Sequence, residues 1–269
     1  MKQLTRALAV AIGTWATSGP LAAAEPYVQY ENFTASVLDP ARWLEGERSR
    51  TVGSNYLRLV QRDRGSTASD SGTTNATWTE SLTRGGPVTQ LRASLRVNAI
   101  DMSACAANPS PTLVRARVMG NFFNSGNRVP GNSIGDVFAQ IRVIRFSNSA
   151  DPPGVMLVQG TLSVCGGPNC FPSTQIGSTV SLGTINVGTT VPLQVEWDRA
   201  NKQFIFARDK GAQTATISYA GIDDSADPGN VFKSVGTSID AANCASGPRP
   251  FGHIDVRFDN VQVNAAAKP

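Results

Sequence analysis

The chain has 269 residues, with 24 basic and 20 acidic side chains, and hydrophobic residues make up 41% of it. This hydrophobic share supports a folded core, and the modest charge without any basic run argues against a nucleic-acid-binding protein. No segment after the N-terminus is apolar for long enough to span a bilayer, so no membrane anchor is expected.

The first 24 residues have the pattern of a cleavable signal peptide. Lys2 and Arg6 precede an apolar run at residues 7–15, and three alanines at 22–24 supply small residues for cleavage before Glu25. A buried N-terminal helix is the alternative for this segment. The pattern predicts an exported protein, periplasmic or extracellular, with a single domain at residues 25–269.

Short alternations of apolar and polar residues fill most of that domain. A hairpin over residues 191–208 is the clearest, whereas helical periodicity is confined to residues 39–44 and 227–232, and residues 66–77 are expected to form a polar loop. Many short strands without long helices predict an all-β fold, an antiparallel β-sandwich. The ten predicted strands cover residues 56–61, 89–100, 113–119, 137–146, 155–164, 179–186, 191–198, 204–208, 214–219 and 254–263.

Four cysteines in an exported chain predict disulfide bonds. Cys165 and Cys170 flank a Gly-Gly-Pro-Asn turn that can bring their sulfur atoms together. Cys105 and Cys244 each follow an Ile-Asp pair at the same spacing, and we expect them to pair with each other. A zinc site is the alternative, but a Cys-x4-Cys spacing with His253 as the one histidine fits zinc-ligand patterns poorly.

Arginine recurs on the polar side of three predicted strands, where the apolar residues point the other way. If these strands are neighbours on one sheet, the side chains form a cationic groove whose guanidinium groups suit carboxylate or sulfate. An ordinary solvent-exposed sheet face with scattered arginines is the alternative. The candidate ligand-binding residues are Arg92, Arg96, Arg115, Arg117, Gln140 and Arg142.

Three landmarks resemble the concanavalin A-like lectin and glucanase domains and follow the order of that family. They are Phe33 with Leu38-Asp39-Pro40-Ala41-Arg42-Trp43, then Glu196-Trp197-Asp198, and finally Phe258-Asp259-Asn260-Val261-Gln262-Val263. The resemblance implies a jelly roll of two curved sheets, whose concave sheet often holds a carbohydrate. In similar sandwiches an acid at the position of Asp259 can help to hold a structural calcium. An acid that caps a turn is commoner, and therefore no cofactor or metal is predicted.

Two enzyme classes share this fold. Glu196 and Asp198 match the first two acids of the glucanase Glu-Asp-Glu strand, but position 201 is Asn201, so the second Glu is missing. In the alternative interpretation Trp197 packs in the core and Asp198 begins the turn.

Alginate lyases of the jelly-roll type provide a further, incomplete resemblance. Arg92-Ala93-Ser94-Leu95-Arg96 and Gln140-Ile141-Arg142 resemble their Arg-x-Glu-Leu-Arg and Gln-Ile-His motifs, with Ser94 in place of the Glu and Arg142 in place of the His. Elimination then lacks a base unless the fold brings His253 to the same face. The sequence therefore predicts a lectin-like module that binds a glycan, with an anionic glycan as one option, and it assigns no catalytic residue. A polysaccharide lyase or glycoside hydrolase and a structural protein of the cell envelope are the alternatives.

Overall fold

A computed structural model of the chain describes residues 47–267, except 84, 87 and 127. The predicted signal peptide, the landmark at residues 33–43 and the predicted helix at 39–44 lie outside these residues. The described chain forms two antiparallel sheets, which confirms the predicted all-β sandwich. Among the residues described, no helix has the length and apolar character needed to cross a bilayer.

One sheet has seven strands and the other has six. The seven-stranded sheet contains β1 (Glu47–Gly53), β2 (Tyr56–Arg64), β4 (Gln90–Met102), β9 (Thr190–Asp198), β10 (Gln203–Arg208), β11 (Gln213–Ser218) and β13 (Phe251–Val263). Its spatial order is β1-β2-β13-β4-β9-β10-β11. The six-stranded sheet contains β3 (Thr73–Ser81), β5 (Leu113–Asn124), β6 (Asp136–Phe146), β7 (Val155–Cys165), β8 (Ser173–Asn186) and β12 (Lys233–Ala242). Its spatial order is β3-β12-β5-β6-β7-β8.

The hydrophobic core lies between the two sheets, because alternate residues of each strand point inward. Phe122 of β5 meets Phe204 of β10 edge to face, with 5.0 Å between the ring centroids. Gly160 of β7 faces Phe206 of β10, and a Cβ atom at this position would lie 2.4 Å from the ring. The close approach of the two sheets at this point therefore requires glycine.

The predicted hairpin at residues 191–208 is confirmed. β9 and β10 pair antiparallel with Trp197 opposite Phe204. Trp197 stacks on Phe123 with 5.2 Å between the rings, and its indole Nε1–H donates to the Tyr219 hydroxyl at 2.7 Å. Tyr219 in turn donates to the buried carboxylate of Asp224 at 2.8 Å. This chain of hydrogen bonds ties the hairpin to the segment after β11.

The sequence pattern does not predict three of the observed strands, β1, β3 and β12. The expected loop at residues 66–77 overlaps the start of β3, and the expected helix at 227–232 is irregular backbone. The pattern does not predict β12 because small polar residues of this strand are buried. Thr237 is one of them, and its hydroxyl donates a hydrogen bond to the Gln61 amide oxygen at 2.6 Å. A strand that is covered on both faces lacks the alternation on which the prediction depends.

Both predicted disulfides are present, so the zinc alternative is wrong for these cysteines. Cys105 after β4 bonds Cys244 after β12, with 5.6 Å between the Cα atoms. Cys165 and Cys170 close the turn after β7, with 4.2 Å between the Cα atoms. The first bond joins segments 139 residues apart in the chain and lies at one end of the sandwich.

Candidate functional site

The three arginine-bearing strands are not all neighbours. β5 and β6 pair directly in the six-stranded sheet, whereas β4 lies between β13 and β9 in the seven-stranded sheet. Arg92 and Arg96 therefore project from one outer surface of the sandwich, and the other four predicted residues project from the opposite surface. The expectation of one shared groove is wrong in this respect. Alternation within a strand determines the direction of each side chain but not the sheet to which the strand belongs.

The outer face of the six-stranded sheet around Arg115, Arg117, Gln140 and Arg142 is called here the arginine face. The register of β5 and β6 places Arg117 directly opposite Arg142, so two positive charges meet across neighbouring strands. Gln140 lies two residues before Arg142 on β6, opposite Met119. The strand pairing thus brings four of the six predicted residues into one cluster.

Arg115 is the one guanidinium of the cluster that has a carboxylate partner. Its Nη2 donates to the Ser238 hydroxyl at 3.0 Å and to both carboxylate oxygens of Asp240 at 3.3 Å. Both partners lie on β12, where Ser238 is directly opposite Arg115. The Arg115 and Asp240 side chains are only 14% and 18% exposed, so water screens this ion pair weakly.

Arg117 and Arg142 have neutral partners instead. Arg117 donates from Nη2 to the Thr77 hydroxyl at 3.2 Å and makes a long contact of 3.5 Å from Nη1 to the Gln140 amide oxygen. Arg142 donates from Nη2 to the Gln159 amide oxygen at 3.1 Å. These contacts orient the two guanidinium groups but neutralise neither charge.

The cluster holds more positive charge and more donors than its described partners satisfy. The Nε–H groups of Arg115, Arg117 and Arg142 are all buried and lack a hydrogen-bond acceptor. Burial, with the neighbouring charge of Arg115 and then of Arg142, lowers the pKa of Arg117 to about 9. Burial and the charge of Arg115 lower the pKa of Arg142 to about 10. Arg117 and Arg142 therefore carry positive charge at neutral pH.

Sequence analysis missed four residues that complete the cluster: Thr77, Gln159, Ser238 and Asp240. Gln159 lies at a polar position of a predicted strand, so the same alternation could have found it. Ser238 and Asp240 lie on β12, where the alternation is too weak to mark a strand. Thr77 lies in the segment expected to be a loop. The signal was therefore clear for Gln159 but not for the other three residues.

The two acids of the hydrolase alternative have structural partners. Hydrogen bonds from the side chains of Asn201 and then Gln203 lower the pKa of Asp198, and they hold the turn between β9 and β10. Glu196 accepts a hydrogen bond from the Gln194 amide at 3.1 Å. Asp198 therefore begins the turn, as the alternative interpretation predicts.

The residues of the lyase resemblance do not share a face. The motif at Arg92–Arg96 lies on β4 and the motif at Gln140–Arg142 on β6, in different sheets. His253 lies on β13 opposite Arg62, on the outer face of the seven-stranded sheet, where burial and the charge of Arg62 lower its pKa. The fold therefore keeps His253 away from the arginine face. Asp259 lies at the bulge of β13 and accepts the backbone N–H of Asn260 at 2.6 Å.

No protein-family model matches the chain, and no curated protein matches it. Several solved structures are similar. An alginate lyase from Klebsiella pneumoniae is 10% identical, with 82% of each chain covered and a TM-score of 0.37. The VIP36 exoplasmic/lumenal domain bound to Ca2+ and Man3GlcNAc is 10% identical, with 82% of this chain and 84% of that chain covered and a TM-score of 0.36. LamAcat from Zobellia galactanivorans is 12% identical, with 77% and 80% covered and a TM-score of 0.34. These similarities are distant, and the fold described above rests on the strand pairing of this chain.

Proposed function

We propose that this protein is an exported module that binds an acidic glycan on the arginine face through carboxylate or sulfate groups. The observation that carries the proposal is the cluster of Arg115, Arg117 and Arg142, in which Arg117 lies directly opposite Arg142 and Asp240 is the one carboxylate partner. The two disulfides support export, because such bonds persist in oxidising compartments.

A bound anion would relieve the repulsion within the cluster. Like charges directly opposite each other on neighbouring strands are destabilising, and Arg117 and Arg142 are such a pair. A carboxylate or sulfate supplies the opposite charge, and it can bind a guanidinium through two parallel hydrogen bonds.

The proposal is for binding because of the residue types present. The described strands of the arginine face carry neither His nor Tyr. With pKa values of about 9 and 10, Arg117 and Arg142 keep their protons at neutral pH and do not act as bases. Recognition of charge is the chemistry that these groups offer.

Affinity electrophoresis in gels that contain a uronate polymer tests the proposal, with an uncharged glucan as the reference polymer. Arg142→Gln keeps a polar side chain but removes the charge, and we expect it to weaken binding by about tenfold or more, the worth of one charged hydrogen bond. Arg50→Gln is the matched control, because Arg50 is an exposed arginine on β1 that pairs with Glu80. The proposal fails if Arg142→Gln is retarded as strongly as the wild type.

A further inference from the structure

Four exposed hydrophobic side chains lie at one end of the six-stranded sheet. Six large hydrophobic side chains are exposed in the described part of the chain, and the other two, Val52 and Val261, lie on the seven-stranded sheet. The four belong to the loops at residues 125–135, 166–172 and 226–232, which lie where β5 and β7 end and β6, β8 and β12 begin. This end is called here the apolar tip, and its exposed hydrophobic residues are Val129, Ile134, Phe171 and Val231.

Backbone hydrogen bonds and a disulfide fix the three loops of the apolar tip. The first loop donates one bond to each of the others, from Gly131 to the Gly229 carbonyl oxygen at 2.8 Å and from Ser133 to the Pro168 carbonyl oxygen at 3.1 Å. The disulfide after β7 closes the turn that carries Phe171, which is 84% exposed. The hydrophobic side chains are therefore presented to solvent on a fixed framework.

A pocket of about 290 Å³ opens at the apolar tip. Arg128 donates from Nε to the Pro228 carbonyl oxygen at 3.2 Å, which leaves its Nη protons as donors. Arg128 and Asp227 are the only charged residues in the sequences of the three loops. The described lining of the pocket consists of Gly86, Arg128, Asp227, Pro228 and Val231.

The two charges of the pocket are not neutralised within the protein. In the part of the chain that the structure describes, neither Arg128 nor Asp227 forms an ion pair with the other or with a further side chain. The two acids that precede this loop, Asp223 and Asp224, have partners of their own. A ligand that carries both a negative and a positive group therefore complements the pocket.

Phospholipids with a choline or ethanolamine headgroup combine these two charges with hydrocarbon. Their phosphate accepts hydrogen bonds from a guanidinium, their ammonium group is attracted to a carboxylate, and their acyl chains cover hydrophobic side chains. A stable protein partner needs roughly 800 Å² of contact on each side, far more than four partly exposed side chains provide. Entry of a few such side chains into the interface of a bilayer gives weak, reversible binding.

We propose that the apolar tip is a docking surface for a bilayer of zwitterionic phospholipid. Arg128 and Asp227 hold the phosphate and the ammonium group of one headgroup, while Phe171 and the other exposed hydrophobic residues enter the boundary between headgroups and acyl chains. The tip uses none of the residues of the arginine face. Asp136, where the first loop ends, lies six residues before Arg142 on β6, about 20 Å at 3.3 Å per residue. Docking through the tip therefore does not cover the arginine face.

Co-sedimentation of the exported protein with phosphatidylcholine vesicles tests the docking surface. Val129→Ser with Val231→Ser removes two exposed valines from the tip, and we expect binding to weaken by about tenfold. Val52→Ser with Val261→Ser removes two exposed valines from the other sheet and is the matched control, expected to bind within about twofold of the wild type. Circular dichroism confirms that each variant is folded, and all variants share the same N-terminus. Absence of binding by the wild type, or an equal loss in the control, overturns the proposal.

A change of lipid tests the roles of the two charges. Asp227→Asn is expected to weaken binding to phosphatidylcholine vesicles but to strengthen binding to phosphatidylglycerol vesicles, whose headgroup is anionic and lacks the ammonium group. Arg128→Gln is expected to weaken binding to both kinds of vesicle. If both variants bind both lipids as the wild type does, the headgroup does not occupy this pocket and the proposal is refuted.

Two measurements distinguish a lipid surface from other occupants. Phe171→Ser is expected to weaken vesicle binding; if it does not, and soluble phosphocholine binds in calorimetric titrations as tightly as vesicles do, the pocket takes a small zwitterion and the proposal fails. Size-exclusion chromatography detects a dimer, and a dimer that Val129→Ser with Val231→Ser dissociates, together with no vesicle binding, makes the tip an interface between copies instead. Arg142→Gln is expected to bind vesicles as the wild type does, so a failure of glycan binding on the arginine face leaves this outcome unchanged.

Discussion

Replacement of Arg117 by methionine should make the unliganded protein more stable while it abolishes binding to acidic glycans. Burial and the charges of Arg115 and Arg142 lower the pKa of Arg117 by between three and four units from the usual arginine value, to about 9. At about 1.4 kcal/mol per pKa unit this decrease corresponds to a cost of up to about 5 kcal/mol for the charged group. Methionine removes the charge and fills a similar volume, as in other exchanges of buried ion groups for apolar ones.

Arg117→Met also loses hydrogen bonds to Thr77 and Gln140, worth about 1 kcal/mol each. The expected net gain is therefore about 1–3 kcal/mol in the free energy of unfolding. For a domain of this size it raises Tm by roughly 2–4 °C per kcal/mol. Urea denaturation followed by circular dichroism at pH 7 measures the gain, and affinity electrophoresis measures the loss of binding.

Arg115→Met is the control, two residues earlier on the same strand. Arg115 neutralises Asp240, so its removal leaves a largely buried carboxylate without its charged partner. We expect this variant to lose about 2 kcal/mol or more in the free energy of unfolding. If both substitutions destabilise the protein to a similar extent, the charge of Arg117 is not destabilising, and the reasoning that links the cluster to anion binding is refuted.

Three further predictions concern stability. Burial lowers the pKa of Lys233 to about 7. Between pH 7 and 10.5 the unfolded state therefore holds a proton that the folded state lacks. The free energy of unfolding should rise with pH in this range by up to about 1.4 kcal/mol per pH unit. Lys233→Met should flatten that rise in urea titrations, and an unchanged slope would assign it to other groups. Cys105→Ala with Cys244→Ala removes a cross-link between positions 139 residues apart. The chain-entropy estimate predicts that the free energy of unfolding falls by about 5 kcal/mol, and urea denaturation without reductant measures this loss. Tyr219→Phe removes one hydrogen-bond partner from the Trp197 indole N–H and one from the Asp224 carboxylate. The free energy of unfolding should fall by about 1–3 kcal/mol, and equal urea midpoints for the variant and the wild type would contradict this.

The parts of the fold that could be predicted are those where one face of a strand is apolar and the other polar. β9 is an example, since Leu193 and Val195 are fully buried while Gln194 and Glu196 point outward. β3 and β12 could not be predicted in this way. β3 is a mostly exposed edge strand rich in Thr, whereas β12 is buried along nearly its whole length, so neither strand has one apolar and one polar face.

The residues of the candidate site could be predicted only in part, because the sequence pattern does not give the order of strands in the sheets. Alternation correctly places Arg117 and Arg142 on the polar side of their strands, but it does so equally for Arg92. Which strands are neighbours depends on contacts between distant segments, and no local pattern of β4 distinguishes it from β5 in this respect. The pairing of Arg115 with Asp240, across 125 residues, is likewise a product of the sheet order.

The sheet order also determines when the protein can complete its fold. β13 lies between β2 and β4, and β12 lies between β3 and β5. Strands from the first part of the described chain can therefore pair fully only after these two late strands have been synthesised. The β1–β2 hairpin contacts the rest of its sheet only through β13, and β3 pairs with β12 alone. Such long-range closure is slow, and neither sheet becomes continuous before residues 233–263 are available. A chain interrupted before Lys233 loses an interior strand of both sheets. If the protein is exported, as proposed above, the same delay keeps the chain unfolded until it has crossed the membrane.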